Sequence, residues 1–149
     1  MKRIMGIDYG TARIGVALSD ELQMLAHPAE TIAVAQKGDP AARIAAIVRE
    51  KEVEQIVVGL PRHMNGSEGV SAEKAREFAE KLKKVVSCEV RTWDERLSTV
   101  AAHRSLREAG KSSRQTRGIV DQVAAQHLLQ GYLDSLAHNQ GGLAPDPFA

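Results

Sequence analysis

The chain has 149 residues, 43% of them hydrophobic and 26% charged, with a net charge of +1. That is one domain's worth of sequence with enough apolar side chains for a sizeable core, which excludes a disordered chain. Near-neutrality means that affinity for a polyanion must come from a local patch, and two phenylalanines, two tyrosines and one tryptophan are too few for a base-stacking platform.

No apolar run approaches the ~20 residues of a membrane span. Residues 1–10 lack the long apolar region of a secretory signal. The single cysteine, Cys88, leaves no internal disulfide and no cysteine-only metal site. An intracellular protein without a membrane partner is the expectation.

The first strand is Ile4-Met5-Gly6-Ile7, which ends in Asp8-Tyr9-Gly10-Thr11. Arg13 to Ser19 follows as a second apolar run, so the two predict an antiparallel hairpin. Both faces of the first strand are apolar, as in a central strand of a covered sheet. Asp8 is the exception. A carboxylate there must be paired, protonated or bound to a cation, because burying it bare costs several kcal/mol. A structural Asp accepting backbone N–H bonds is the plain alternative.

Gln23 to Val34 contains Pro28 and reads as an edge strand. Gly38-Asp39-Pro40 announces a helix over 40–52, with Asp39 as cap and Ala41, Ile44, Ile47 and Val48 on one face. Gln55 to Leu60 is a β-branched run that predicts a buried parallel strand. Pro61 to Gly69 is a turn-rich loop, after which Ser67 or Ser71 can cap a helix bearing Ala75, Phe78, Ala79, Leu82 and Val86.

Cys88 to Trp93 is the fifth strand, followed by Asp94-Glu95-Arg96. A helix capped by Ser98 or Thr99 and closed by Gly110 comes next, then a polar basic loop over 111–118 and a last helix over 118–136. The order predicts one α/β domain over 1–137 with a mixed sheet, and a flexible tail over 138–149.

Three acids fall where such a fold can gather them. Asp8 ends the first strand and Glu95 follows the fifth, and parallel strands bring these ends to one edge, where ligands bind. Asp121 shares a helix face with Ala124, Ala125 and Leu128, so that helix can lie close to the sheet and aim a carboxylate at the strand ends. Carboxylates without thiolate or imidazole partners suit Mg²⁺ or Mn²⁺. The chemistry that needs such a site is phosphodiester hydrolysis. Each acid also has an ordinary alternative: Glu95 paired with Arg91 or Arg96, and Asp121 with Arg117.

The segment 91–118 holds seven Lys or Arg against three acids and brackets Glu95, which suits a polyanionic substrate. The candidate nucleic-acid contacts are Arg13, Arg62, Asn65, Arg96, Lys111, Arg114 and Arg117. A solvated helix face with a charged loop is the plain alternative. His63 is kept as a possible substrate contact or proton donor, and Cys88 as a buried, inert thiol.

These blocks together resemble the YqgF family, also described as RuvX or Holliday-junction-resolvase-like. The resemblance rests on Ile7-Asp8-Tyr9-Gly10-Thr11 with Arg13-Ile14-Gly15-Val16-Ala17, and on Val58-Gly59-Leu60-Pro61 and Asn65-Gly66-Ser67-Glu68-Gly69. Trp93 to Thr99 and Asp121 to Gln126 complete it. It implies an RNase H-like fold: a five-stranded mixed sheet, its first three strands antiparallel, with helices on both faces. It also implies a bacterial cytoplasmic nuclease with Asp8, Glu95 and Asp121 as catalytic and metal-binding acids, acting on the 5′ end of pre-16S ribosomal RNA or on a DNA junction. Pre-rRNA, alone or within a ribosomal subunit precursor, or branched DNA would then be the partner of a monomer or homodimer. One departure concerns the wider superfamily: the fourth strand ends Val58-Gly59-Leu60-Pro61 without an acid, so a second metal has fewer ligands.

Two rivals follow from the same residues. An Asp-x-Gly-Thr hairpin also faces phosphate in actin-like ATPases and sugar kinases, but those close two domains around ATP and this length supplies one. The other is a catalytically weak RNA-binding factor of ribosome assembly.

Overall fold

In the computed structural model, which describes residues 2–35, 38–60, 69–94 and 114–143 (side chains of the last segment over 121–137), five strands form one sheet. They are β1 (Arg3–Tyr9), β2 (Arg13–Ser19), β3 (Ala26–Ala33), β4 (Val53–Leu60) and β5 (Glu89–Asp94), in the spatial order β3-β2-β1-β4-β5. The hairpin pairs antiparallel, with Asp8 opposite Gly15, and β3 continues antiparallel on β2. β4 lies parallel to β1, and β5 parallel to β4. The helices are α1 (Pro40–Lys51), α2 (Val70–Val85) and α3 (Arg114–Leu143). None of the described helices is long and apolar enough to cross a membrane.

The two-residue alternation of the strands divides the apolar side chains into two cores. Met5, Ile7, Ile14, Val16, Ile56 and Val58 point to one face, under Ile44 and Ile47 of α1 and Phe78 and Leu82 of α2. Ile4, Ala17 and Val57 point to the other, under Ala125, Leu129, Tyr132 and Leu133 of α3. Because β1 and β4 are covered on both sides, they read as near-continuous apolar runs. The expected mixed sheet with helices on both faces is the fold observed.

Several boundaries differ from expectation. β3 starts at Ala26 rather than near Gln23, because the Asp20 carboxylate accepts the N–H groups of Met24 (2.7 Å) and Leu25 (3.2 Å) and holds 20–25 as a turn. Gln23 takes a left-handed φ of 59° within it. α1 is capped as expected: Asp39 Oδ1 accepts the Ala41 N–H at 3.1 Å. α2 has Gly69 at its cap with no side-chain cap bond, and Ser71 already lies inside the helix; Ser67 is outside the described residues.

α3 begins at Arg114, inside the expected loop, and continues past 136 to Leu143. Arg and Gln are good helix formers, and a glycine such as Gly118 costs only about 1 kcal/mol, which a long helix absorbs. The helix expected over 98–110 lies outside the described residues.

Candidate active site at the sheet edge

The C-terminal ends of the parallel strands and the start of β2 come out along one edge. Ile7 pairs with Val58, and Leu60 pairs with Asp94, the last residue of β5. On β1, Ile4 belongs to the α3 core and Gly6 faces Leu129, so alternation directs Asp8, half-buried, to the α3 face.

Two glycines determine where α3 lies. A Cβ added at Gly15 would come within 2.0 Å of the Asp121 carbonyl oxygen. One added at Gly6 would meet Leu129 Cβ at 2.7 Å and the Ala125 oxygen at 3.1 Å. Residues 121, 125 and 129 recur at helical spacing along the contact line. The main chain of α3 therefore rests directly on the sheet, and its 121 position sits over the residue that pairs with Asp8. An isolated glycine in an apolar strand is the sequence signal of such an approach. The small residues on the helix were legible in advance, whereas the more consequential ones are on the strands.

The side chain of Asp121 is 22% exposed and accepts a bond from Arg13 Nε at 2.6 Å. Arg13 itself is 38% exposed and lies on β2 two residues before Gly15, hence on the same face. Among the described residues, Asp121 is thus bonded from a distant strand; the side chain of Arg117, the plain alternative, lies outside them.

Further along α3, two glutamines bind the edge strand. Gln130 Oε1 accepts the Ala26 N–H at 2.8 Å, Gln130 Nε2 donates to the Met24 carbonyl at 3.0 Å, and Gln126 Nε2 donates to the Ala26 carbonyl at 3.0 Å. Tyr132 packs edge-on against Trp93 with ring centroids 5.1 Å apart, and its hydroxyl donates to Gln55 Oε1 at 3.1 Å. These contacts fix the register of α3 on the sheet; sequence reading missed both glutamines.

Of the expected site residues, the structure brings Asp8, Asp121 and Arg13 to one face of one edge. Glu95, His63, Arg62, Asn65, Arg96 and Lys111 lie outside the described residues. Arg114 and Arg117 belong to the first turns of α3 rather than to a loop. Arg91, considered as a partner for Glu95, is bonded to Glu89 at 2.7 Å, which raises the guanidinium's pKa. Among the described residues no three His, Cys, Asp or Glu side chains form a metal-binding group. Asp8 and Asp121 offer oxygen donors only, which fits a hard divalent cation, and the next acid in sequence after β5 is Glu95.

The fold is of the resolvase class. It is similar to RuvC of T. thermophilus, solved in complex with a Holliday junction substrate, with a TM-score of 0.56 at 14% identity over 91% of this chain and 96% of that one. The fowlpox virus resolvase, solved with Holliday junction DNA, gives a TM-score of 0.55 at 10% identity over 90% and 98%. Within that class the chain belongs to the RuvX family, whose model, described as Holliday junction resolvase, matches residues 2–135. Relatives include a protein of Moorella thermoacetica, 51% identical over 92% of this chain and 98% of its own length. Another, from Halothermothrix orenii, is 48% identical over 89% and 94%. Both bear the name "Putative pre-16S rRNA nuclease".

Proposed function

We propose that this chain is a metal-dependent endonuclease that hydrolyses phosphodiester bonds in structured nucleic acid, acting in the cytoplasm on the 5′ end of pre-16S ribosomal RNA. The observation that carries this reading is the placement of Asp121 over Gly15, the partner of Asp8. It supports a site that draws on Asp8 of β1 and Asp121 of α3 at the edge where parallel strands end. Family membership and the names of the relatives support the nuclease class and the RNA substrate.

Asp8 and Asp121 would hold Mg²⁺ or Mn²⁺, with Glu95 as the third acid. When bound, such a cation supplies a Lewis acid for the scissile phosphate and lowers the pKa of an attacking water. The rest is the work of the chain. Gly6 and Gly15 let α3 contact the sheet without intervening side chains, so the Asp121 carboxylate is carried by a rigid element. Arg13 brings a guanidinium suited to bidentate contact with phosphate. Arg62, Asn65, Arg96, Lys111, Arg114 and Arg117 are the proposed outer contacts that hold the backbone of the substrate.

The test is cleavage of end-labelled pre-16S leader RNA and of a four-way DNA junction, side by side, in Mg²⁺ and in Mn²⁺. Cleavage of the RNA that needs the cation and disappears in Asp8→Asn and Asp121→Asn is the expected result. Cleavage of the junction alone would move the activity to DNA recombination. Binding of RNA without cleavage in either metal would leave an assembly factor.

A further inference from the structure

Arg13 is the one described cation bonded to Asp121, and the bond runs from the strand edge to the helix across 108 positions of sequence. A carboxylate oxygen that accepts a guanidinium N–H at 2.6 Å presents that lone pair to Arg13 rather than to a metal. A guanidinium and a divalent cation on one carboxylate also repel each other. The pair is not locked, since Arg13 is 38% exposed and Asp121 22%. Ion pairs at such exposure are weak enough to exchange. Arg13 stands at the start of β2, on the edge where a phosphodiester would approach, and carries its charge on a long, flexible side chain.

We propose that Arg13 is an exchangeable counter-ion of Asp121: it neutralises the carboxylate in the metal-free protein, leaves when a cation is bound there, and then contacts the substrate phosphate. This rests on the reading of Asp8 and Asp121 as metal ligands. It makes Arg13 the residue that couples the two binding events, so that cation strengthens nucleic-acid binding and nucleic acid strengthens cation binding by the same factor.

The experiment uses the full chain with Mn²⁺ alone and, separately, with pre-16S leader RNA. Mn²⁺ titrations of wild type, Arg13→Gln and Asp121→Asn are followed by thermal shift and by the fluorescence of Trp93, the only tryptophan. Arg13→Gln removes the competitor and should bind Mn²⁺ about two- to five-fold more tightly. RNA binding is then measured in EDTA and in Ca²⁺. The substitution should change RNA affinity little in EDTA, where Arg13 is engaged, and weaken it in Ca²⁺, with a salt slope lower by about one. Arg13→Lys, which keeps a charge but not the planar fork, should fall between and serves in place of Arg13→Gln if that variant does not fold.

Mn²⁺ affinity that is unchanged or weaker in Arg13→Gln overturns the exchange and leaves Arg13 a fixed support for Asp121. An equal loss of RNA affinity in EDTA and Ca²⁺ overturns it too. If Asp121→Asn binds Mn²⁺ as the wild type does, the metal site itself is elsewhere and both readings fail together. Loss of Mn²⁺ binding in Asp121→Asn without tightening in Arg13→Gln removes only the exchange.

Discussion

The carbonyl of Asp121 lies 2.0 Å from where a Cβ on Gly15 would be, and Gly15 is the residue paired with Asp8. A methyl group at 15 would strike main chain that no rotamer change can move, so α3 must lift from the sheet. Gly15→Ala is expected to cost about 1–3 kcal/mol, as overpacking does, and to abolish cleavage by separating the acids. Gly6→Ala meets Leu129 Cβ at the longer 2.7 Å and should cost less. Denaturant melts of the two variants check the order, and equal stabilities for Gly15→Ala and wild type would dissolve the contact as a determinant.

Asp8→Asn separates a ligand from a structural acid. If Asp8 binds a cation, Mg²⁺ or Mn²⁺ raises the melting temperature of wild type, by about 2.7 kcal/mol of added stability at a hundred times the Kd. That rise should shrink in Asp8→Asn, while the metal-free variant melts at the wild-type temperature or above. Melting well below wild type without metal would instead mark Asp8 as a hydrogen-bonded part of the fold.

Much of this was legible in the chain because each element announces itself locally. Alternation, Pro28 and the Gly38-Asp39-Pro40 cap gave the strands, the edge and α1. The placement of Asp8 and Asp121 on one edge followed from strand ends and a helix face. What stayed hidden depends on partners far apart in sequence. Arg13 meets Asp121 only because β2 passes beneath α3, and no spacing rule links positions 13 and 121. Gln126 and Gln130 look like solvent-facing helix residues until β3 is seen beside them. The start of α3 was missed because a glycine near basic residues resembles a loop, whereas tertiary contact along 121–133 outweighs the local cost.

Among the described residues, Gln130 supplies two of the three side-chain bonds between α3 and residues 24–26. Gln130→Ala leaves the Ala26 N–H without that acceptor and should destabilise the fold by about 1–3 kcal/mol. Because those bonds lie far along the helix from Asp121, metal affinity per folded molecule should be preserved. A urea titration together with an Mn²⁺ titration tests both halves.

Asp39 links cap strength to acid stability. Its carboxyl is held below the usual value of 3.8 first by the bond from Lys81 and then by the Ala41 N–H. A carboxyl with a depressed native pKa contributes stability that is complete above the unfolded value and fades as pH falls toward the native one. Asp39→Ala should therefore cost about 1 kcal/mol at neutral pH, a cap's ordinary worth, and progressively less below pH ~4. Melts at pH 7 and pH 3 that show the same difference would contradict this.

Arg114 and Arg117 are carried by the first turns of α3, whose 121 position is at the site. Replacing both with alanine should lower the salt slope of RNA binding by roughly one to two units, each lost phosphate contact removing about 0.7 to 0.9. The melting temperature should hardly move. A salt slope identical to wild type would assign them to the solvated surface.

The glutamines on α3 have an effect beyond holding a helix. Every open sheet has two rims at which another extended chain can add itself, and β3 forms one of them. At its beginning, both main-chain groups of Ala26 are already occupied by Gln126 and Gln130, and two residues later Pro28 has no N–H to offer. An incoming strand finds no ladder to join along that stretch. The start of this rim is thereby closed to edge-to-edge pairing by the same side chains that keep the helix in register.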